Sequence, residues 1–189
     1  MKSLFSTPAI ENRDVDKGAM LESYIAAMAG GRKDAVAGLF QQTKAAVYGF
    51  SLSILKNMHD AEDVLQDTYI RIFMASGNYK PNGNPMPWIF TITRNLSLMK
   101  LRERKKIRII PEESWDWPDD SPQVTAEDKL VLSAAMEKLS EEERQIIMLH
   151  AVAGFKHREI ADLLDLPLST VLSKYHRALQ KMRKRLQGG

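Results

Sequence analysis

From Met20 onward, apolar residues recur at every third or fourth position, and no stretch alternates with period two over the length of a strand. A chain patterned in this way offers helical stripes to bury and no sheet to bury them against. The predicted fold is therefore all-α. In Lys33 to Asn57 the stripe is Val36, Leu39, Phe40, Val47, Phe50 and Ile54. A second helix is expected from Asp60 as N-cap, with Ala61, Val64, Leu65 and Ile72 inward. The run Gly77-Asn78-Tyr79-Lys80-Pro81-Asn82-Gly83-Asn84-Pro85 is too rich in breakers to be anything but a loop. Pro87 then suits the first turn of a helix with Ile89, Ile92, Leu96 and Met99 on one face. Only Ile107 to Ile110 has strand character, and it is too short to matter.

The pattern lapses once more, from Ile109 to about Thr125, where three prolines, two tryptophans and five acids fall without any period. Helical spacing resumes near Ala126. Ser140-Glu141-Glu142-Glu143 reads as a capping box, S-x-x-E, opening a helix that carries Ile146, Ile147 and Leu149, with Gly154 as its stop. A short helix around Arg158 to Leu164, a turn at Asp165-Leu166-Pro167 and a long helix from Ser169 to Leu186 complete the pattern. The expected organisation is a loose tail over 1–19, a helical domain over 20–106, a flexible acidic linker over 107–125 and a second helical domain over 126–187. A length of 189 residues accommodates two small domains.

Composition removes several function classes. With no cysteine there is no disulfide framework, no thiol nucleophile and no Cys-ligated metal. The four histidines His59, His150, His157 and His176 have no ligand spacing, and P-loop, G-x-G-x-x-G and G-x-S-x-G motifs are absent. Neither an enzyme nor a metal or other cofactor is expected. Met1 to Gly18 has no apolar signal region, and no apolar run approaches the ~18–20 residues that span a bilayer, so no membrane insertion is expected.

Net charge is only +3, but its distribution is uneven. Arg94 to Arg108 holds seven basic residues against Glu103 alone. Leu166 to the C-terminus holds six bases and no acid, and Pro111 to Pro122 holds five acids and no base. Two basic blocks flanking an acidic one fit two contacts with a polyanion, or else solvated helix ends.

Three constellations stand out. Around Ala161, a short amphipathic helix, a tight turn and an all-basic helix form a helix-turn-helix pattern, with Ser173, Lys174, His176 and Arg177 outward and Val171, Tyr175, Ala178 and Leu179 inward. A plain αα-hairpin is the alternative. Asp63, Gln66, Asp67 and Ile70 share one exposed helical face, which alone could simply be solvated. Thr91, Asn95, Leu98 and Arg102 face away from an apolar stripe beside a basic block, an arrangement suited to single-stranded bases, with Trp88 as a base-stacking ring or a buried anchor.

Together, these segments resemble the extracytoplasmic-function (ECF) sigma factors of bacterial RNA polymerase, over about Met20 to Gln187. Asp60-Ala61-Glu62-Asp63-Val64-Leu65-Gln66-Asp67 is similar to the D-A-E-D-x-x-Q-[DE] signature of region 2.2. Trp88-Ile89-Phe90-Thr91-Ile92-Thr93-Arg94-Asn95-Leu96 is similar to the W-L-[FY]-x-I-x-R-N-x segment of regions 2.3 and 2.4. Leu139 to Gln145, Glu159-Ile160-Ala161 and Ser169-Thr170-Val171 resemble the opening and helix-turn-helix frame of region 4. Departures are Leu172 in place of a basic residue, Asp165 in place of a turn glycine, and Lys156 in place of a Ser or Thr cap.

The resemblance implies a dissociable polymerase subunit that directs promoter-specific transcription initiation under the control of an anti-sigma factor. Asp60, Glu62, Asp63, Gln66 and Asp67 would bind the clamp helices of the largest subunit of core RNA polymerase. Trp88, Thr91, Arg94, Asn95, Lys100 and Arg102, with the Ser76 to Met86 loop, would take the melted −10 element. Arg158, Ser169, Thr170, Ser173, Lys174, His176 and Arg177 would meet the duplex −35 element. The linker would pass near the RNA path. The implied location is cytoplasmic, or at the membrane where an anti-sigma factor holds the chain there. Two other readings of the residues stay open: a self-sufficient helix-turn-helix dimer and a protein-binding adaptor.

Overall fold

A computed structural model describes residues 8–107 and 136–187, with side chains over 17–104 and 136–184. The linker expectations, and the resumption of helix near Ala126, lie outside those residues. So does the strand-like stretch beyond Ile107. The described residues are helical and contain no strand. Four helices form the first bundle: α1 (Pro8–Ala29), α2 (Ala35–Leu55), α3 (Met58–Ala75) and α4 (Met86–Ile107), with a 3₁₀ turn at Ser76–Asn78 that takes in the first two residues of the predicted loop. The second bundle has α5 (Glu141–Ile147), prolonged by a π turn over Met148–Val152, then α6 (His157–Leu164) and α7 (Leu168–Gln187).

Helix α1 starts at Pro8, well inside the segment read as a loose tail. That stretch carries few apolar residues, so periodicity gives no sign of it. The cap of α3 is Asn57, whose Oδ1 accepts from the Asp60 amide at 3.0 Å, and not Asp60 itself. The Ser140 capping box forms as read, with Glu143 N–H donating to Ser140 Oγ at 3.3 Å and Ser140 N–H to Glu143 Oε2 at 2.8 Å. Asp165 adopts the left-handed conformation, φ 56°, that the missing glycine would have taken. Lys156 gives α6 half a capping box: its backbone N–H donates to Glu159 Oε2 at 2.8 Å.

Along α4 the buried line is Ile89, Thr93 and Ser97, each 0% exposed, while Met99 is 48% exposed. The apolar stripe was therefore centred off the true one. Thr93 and Ser97 are buried because each hydroxyl returns its proton to the carbonyl four residues back, at 3.0 and 2.8 Å. Leu179, expected inward on α7, is exposed instead, and Val171 and Ala178 carry that face.

The two bundles pack together around α2, in which every residue from Val47 to Leu55 is buried. One face meets α1, α3 and α4, and the other takes α5. A helix enclosed on all sides is apolar or small-polar all round. Phe90 of α4 lies 5.1 Å from Phe50 and 5.1 Å from Phe155 of the second bundle, ring centre to ring centre. Gly49 gives Met148 its seat: a Cβ there would fall 2.4 Å from the Met148 methyl. The last carbonyls of α2 have no intrahelical donor. Buried Arg144 donates Nε to Ser53 O at 3.3 Å, and Arg104 donates to Leu55 O at 3.4 Å. Both guanidiniums also oppose the negative end of the helix dipole.

Candidate nucleic-acid interface

The seam between α3 and α4 brings together residues that the sequence assigned to different partners. Lys100 Nζ lies 2.7 Å from Asp63 Oδ2 and 3.8 Å from Asp60 Oδ1, and Arg104 Nη1 lies 2.9 Å from Asp60 Oδ2. The hydrogen bond that Lys100 donates to Asp63 raises the Lys100 pKa above the ordinary lysine value, and the charges of Asp63, Asp60 and Glu103 add to this. Asp60 is thus half-buried and fastens α3 to α4. Glu62, Asp63, Gln66 and Asp67 are exposed. The same α3 face continues into Ile70 and Met74, 59% and 69% exposed, so the acidic row ends in an apolar one.

On α4, Asn95 and Arg102 are exposed and Arg94 is half-buried. Asn95 lies opposite the Thr93–Ser97 line, because two residues of helix turn about 200°. Thr91 is exposed, but its hydroxyl donates to Pro87 O at 2.8 Å. Trp88 is half-buried and packs on Tyr79 of the loop, ring centres 4.8 Å apart, so it serves as an anchor with one edge in reach of solvent.

In the second bundle, Ser173, His176 and Arg177 are exposed on α7, as are Ser169 there and Arg158 on α6, while Thr170 is half-buried. Ser173 donates its proton to Thr170 O at 3.0 Å. Lys174 is half-buried and paired with Glu142 at 2.5 Å, and Lys181 pairs with Glu143 at 2.6 Å. Burial raises the Glu143 pKa, but the Lys181 hydrogen bond, the Ser140 amide and the charge of Arg177 together hold it below the ordinary carboxylate value. The acids of the capping box therefore also fix α7 to α5. Leu172, 38% exposed, leaves an apolar side chain among these polar ones.

Sequence reasoning missed two groupings. His150 and His157 stack at 4.4 Å, with Tyr175 edge-on to both at 5.0 and 4.7 Å, and the carbonyl of Phe155 lies 2.8 Å from His150 Nδ1. Burial, then His150 and His176, lower the His157 pKa. No spacing rule joins residues 150, 157 and 175, which meet only once α5, α6 and α7 are packed. The second grouping is the anchorage of the Ser76–Met86 loop on α1. There, Glu22 Oε1 accepts from Tyr79 OH, Asn82 N and Gly83 N, each at 2.8 Å. Asn84 of the same loop donates to Glu159 of α6 at 3.3 Å, and a cavity of about 290 Å³ lies beside them.

No group of three or more His, Asp or Glu placed to hold a metal occurs among the described residues, and no described helix is long and apolar enough to cross a membrane.

Two family models match the chain: Sigma-70 region 2 over residues 39–107 and Sigma-70 region 4 over residues 129–182. Among curated proteins, the ECF RNA polymerase sigma factor SigE of Mycolicibacterium smegmatis is 36% identical over 152 residues, covering 77% of this chain and 59% of SigE. SigW of Bacillus subtilis, also an ECF RNA polymerase sigma factor, is 25% identical over 183 residues, 89% of this chain and 97% of SigW. Two solved structures share the fold. One is the sigma factor RpoE in complex with the anti-sigma factor NepR from Bartonella quintana, with a TM-score of 0.66, 23% identity, 78% of this chain and 94% of that one. The other is CnrH in complex with the cytosolic domain of CnrY, with a TM-score of 0.65, 22% identity, 89% of this chain and 98% of that one. The chain belongs to the ECF sigma factors of the sigma-70 family, a family of transcription initiation factors rather than catalysts.

Proposed function

We propose that the chain directs promoter-specific transcription initiation as a dissociable subunit of RNA polymerase and performs no catalysis itself. The first bundle docks on core polymerase through the α3 face of Glu62, Asp63, Gln66 and Asp67, with Ile70 and Met74 continuing it. Asp60 contributes indirectly, by holding α3 against α4. The Ser76–Met86 loop and Asn95 take an extruded base of the −10 element, with Trp88 and Thr91 at the same end of α4 and Arg94, Lys100 and Arg102 toward the backbone. An amide can pair with the edge of a base that has left the stack. Helix α7 lies in the major groove of the −35 element, with Arg177, His176, Lys174 and Ser173 toward it and Ser169, Thr170 and Arg158 at the backbone. Leu172 there suits a thymine methyl rather than a phosphate. By analogy with the complex of RpoE and NepR, an anti-sigma factor controls the chain, which works in the cytoplasm or is held at the membrane by that partner.

The observation that carries this reading is the exposure of Asn95 opposite the buried line of α4, on the helix into which the anchored loop leads. The experiment is run-off transcription with core polymerase on genomic DNA, which maps the start sites. Asn95→Ala should then impair open-complex formation on linear duplex and change the tolerance at one −10 position, with the melting temperature hardly moved. A fall in melting temperature with unaltered base preference would remove the recognition role.

A further inference from the structure

We infer that Glu22, on α1 and remote in sequence from every DNA-facing segment, is the positioning residue of the −10 loop, and that with Gly18 one turn earlier it sets which base the loop admits. The inference rests on the proposed role of that loop and deepens it.

Its basis is geometric. A loop of Pro, Gly and Asn has no stripe of its own to bury and no helical hydrogen bonds, so its shape must come from outside. Beside the Asn84–Glu159 contact and the Tyr79–Trp88 packing, three of its donors converge on one oxygen. Glu22 Oε1 accepts the Tyr79 hydroxyl, the Asn82 amide and the Gly83 amide, each at 2.8 Å. An ionised carboxylate only accepts, and its bonds to N–H and O–H groups are the stronger for its charge. Burial works against that charge, but the three donors outweigh it and leave the Glu22 pKa below the ordinary glutamate value. Burial, then the Glu22 carboxylate, push the Tyr79 phenol upward, so it stays a donor.

Gly18 supplies the close approach. A Cβ on it would lie 2.1 Å from Gly83 O, a backbone atom that cannot step aside alone. Gly83 itself needs φ +83°, which favours glycine. The rest of the loop passes the anchorage along. Asn82 Oδ1 accepts from Asn84 N at 3.1 Å, Asn84 Oδ1 from Met86 N at 3.3 Å, and Tyr79 packs on Trp88 at the start of α4. Glu22 is thereby linked in three steps to the helix that carries Asn95. It touches no base in this scheme. It fixes the backbone that does.

The test is in vitro transcription by the full chain with core polymerase, from a template pool randomised over the −10 region behind the mapped −35 sequence. Glu22→Ala should cut discrimination at one −10 position from about tenfold or more to about twofold, while −35 preference and core binding stay as they were. Glu22→Gln should retain most of the preference, because its carbonyl accepts from the same donors. Gly18→Ala should shift the preference as Glu22→Ala does. The Asn82 and Gly83 amide protons should exchange with solvent faster in Glu22→Ala. A uniform loss over all −10 positions, a change in melting temperature alone, or unchanged amide exchange would overturn the assignment. Asn95→Ala separates the two levels. If it alters base preference and Glu22→Ala does not, only the role of Glu22 falls. If neither does, base capture by this loop falls and takes the inference with it.

Discussion

Replacing Phe155 tests whether the two bundles share one core. Its side chain comes from the second bundle, is 3% exposed, and meets Phe90 of the first at 5.1 Å between ring centres. Phe→Ala at a site that cannot collapse costs about 3–5 kcal/mol, a large part of the ~5–15 kcal/mol that holds a domain together. Phe155→Ala should lower the urea midpoint of the whole chain, seen equally by fluorescence and circular dichroism. A milder double-mutant cycle isolates the contact across the seam. Phe90→Leu and Phe155→Leu should show a coupling of about 0.5–1.5 kcal/mol, the size of an aromatic pair beyond its area. Two separate transitions, with the Phe155 change confined to one and the pair additive within about 0.3 kcal/mol, would refute a shared core.

Other outcomes follow from the site. Asp63→Lys with Asp67→Lys should weaken core polymerase binding by about tenfold or more, through like charge at the docking face, with helical circular dichroism intact; unchanged co-purification with core would reject the docking face. Arg177→Ala should lose ~1–3 kcal/mol of base discrimination if it forks onto guanine, or a unit of salt slope if it meets phosphate; no effect at any responsive promoter would reject α7 as the reader. His157 titrates below its ordinary value of 6.5 when folded. The unfolded chain therefore takes up that proton first as the pH falls, and the stability present above pH 6.5 is lost through and below it. Urea midpoints at pH 7.5 and 5.5 should differ less in His157→Gln than in the parent, and an equal difference would show that the histidine stack does not matter.

The helices were legible because burial of one face imposes a period of 3.6 on the residues, and the turn chemistry of Ser140, Gly154 and Asp165 marks their ends. What escaped has definite causes. Thr93 and Ser97 do not count as apolar, yet each is buried by giving its proton to its own helix, which moved the true face of α4 away from Met99. Asp60 has the right chemistry for a cap, but Asn57 stands one turn earlier and takes the role. The uncharged run Ala45 to Leu55 was a usable signal for the second face of α2: Tyr48, Leu52 and Leu55 lie off the stripe and still carry no charge. The residues proposed for DNA and polymerase are legible in the sequence only as types in order. Their mutual pairing, Lys100 with Asp63 and Lys174 with Glu142, depends on helix packing that no spacing encodes. Glu22 and Gly83 are 61 positions apart, beyond any local pattern.

Under the proposed function, the ionic and apolar contacts of this chain play different parts. Asp60 with Arg104, Asp63 with Lys100 and Lys174 with Glu142 are pairs near the surface, worth ~0–1 kcal/mol each. Exchanging Glu142 for a DNA phosphate costs little, since the phosphate releases its own counterions. The −10 and −35 elements, however, lie about 25 base pairs apart, or ~85 Å at 3.4 Å per step. Helix α7 is only ~30 Å long at 1.5 Å per residue. Two bundles that share Phe50, Phe90 and Phe155 in one core cannot read both elements together, so they must part on the promoter. The expected linker over 107–125, 19 residues, can span at most ~63–68 Å when fully extended, so the bundles themselves must cover the rest. Parting exposes Phe155 and Met148, each worth ~1.5–3 kcal/mol when fully buried. Occupancy of the promoter-spanning form is thus set at the apolar seam, and polymerase must supply surfaces that replace it.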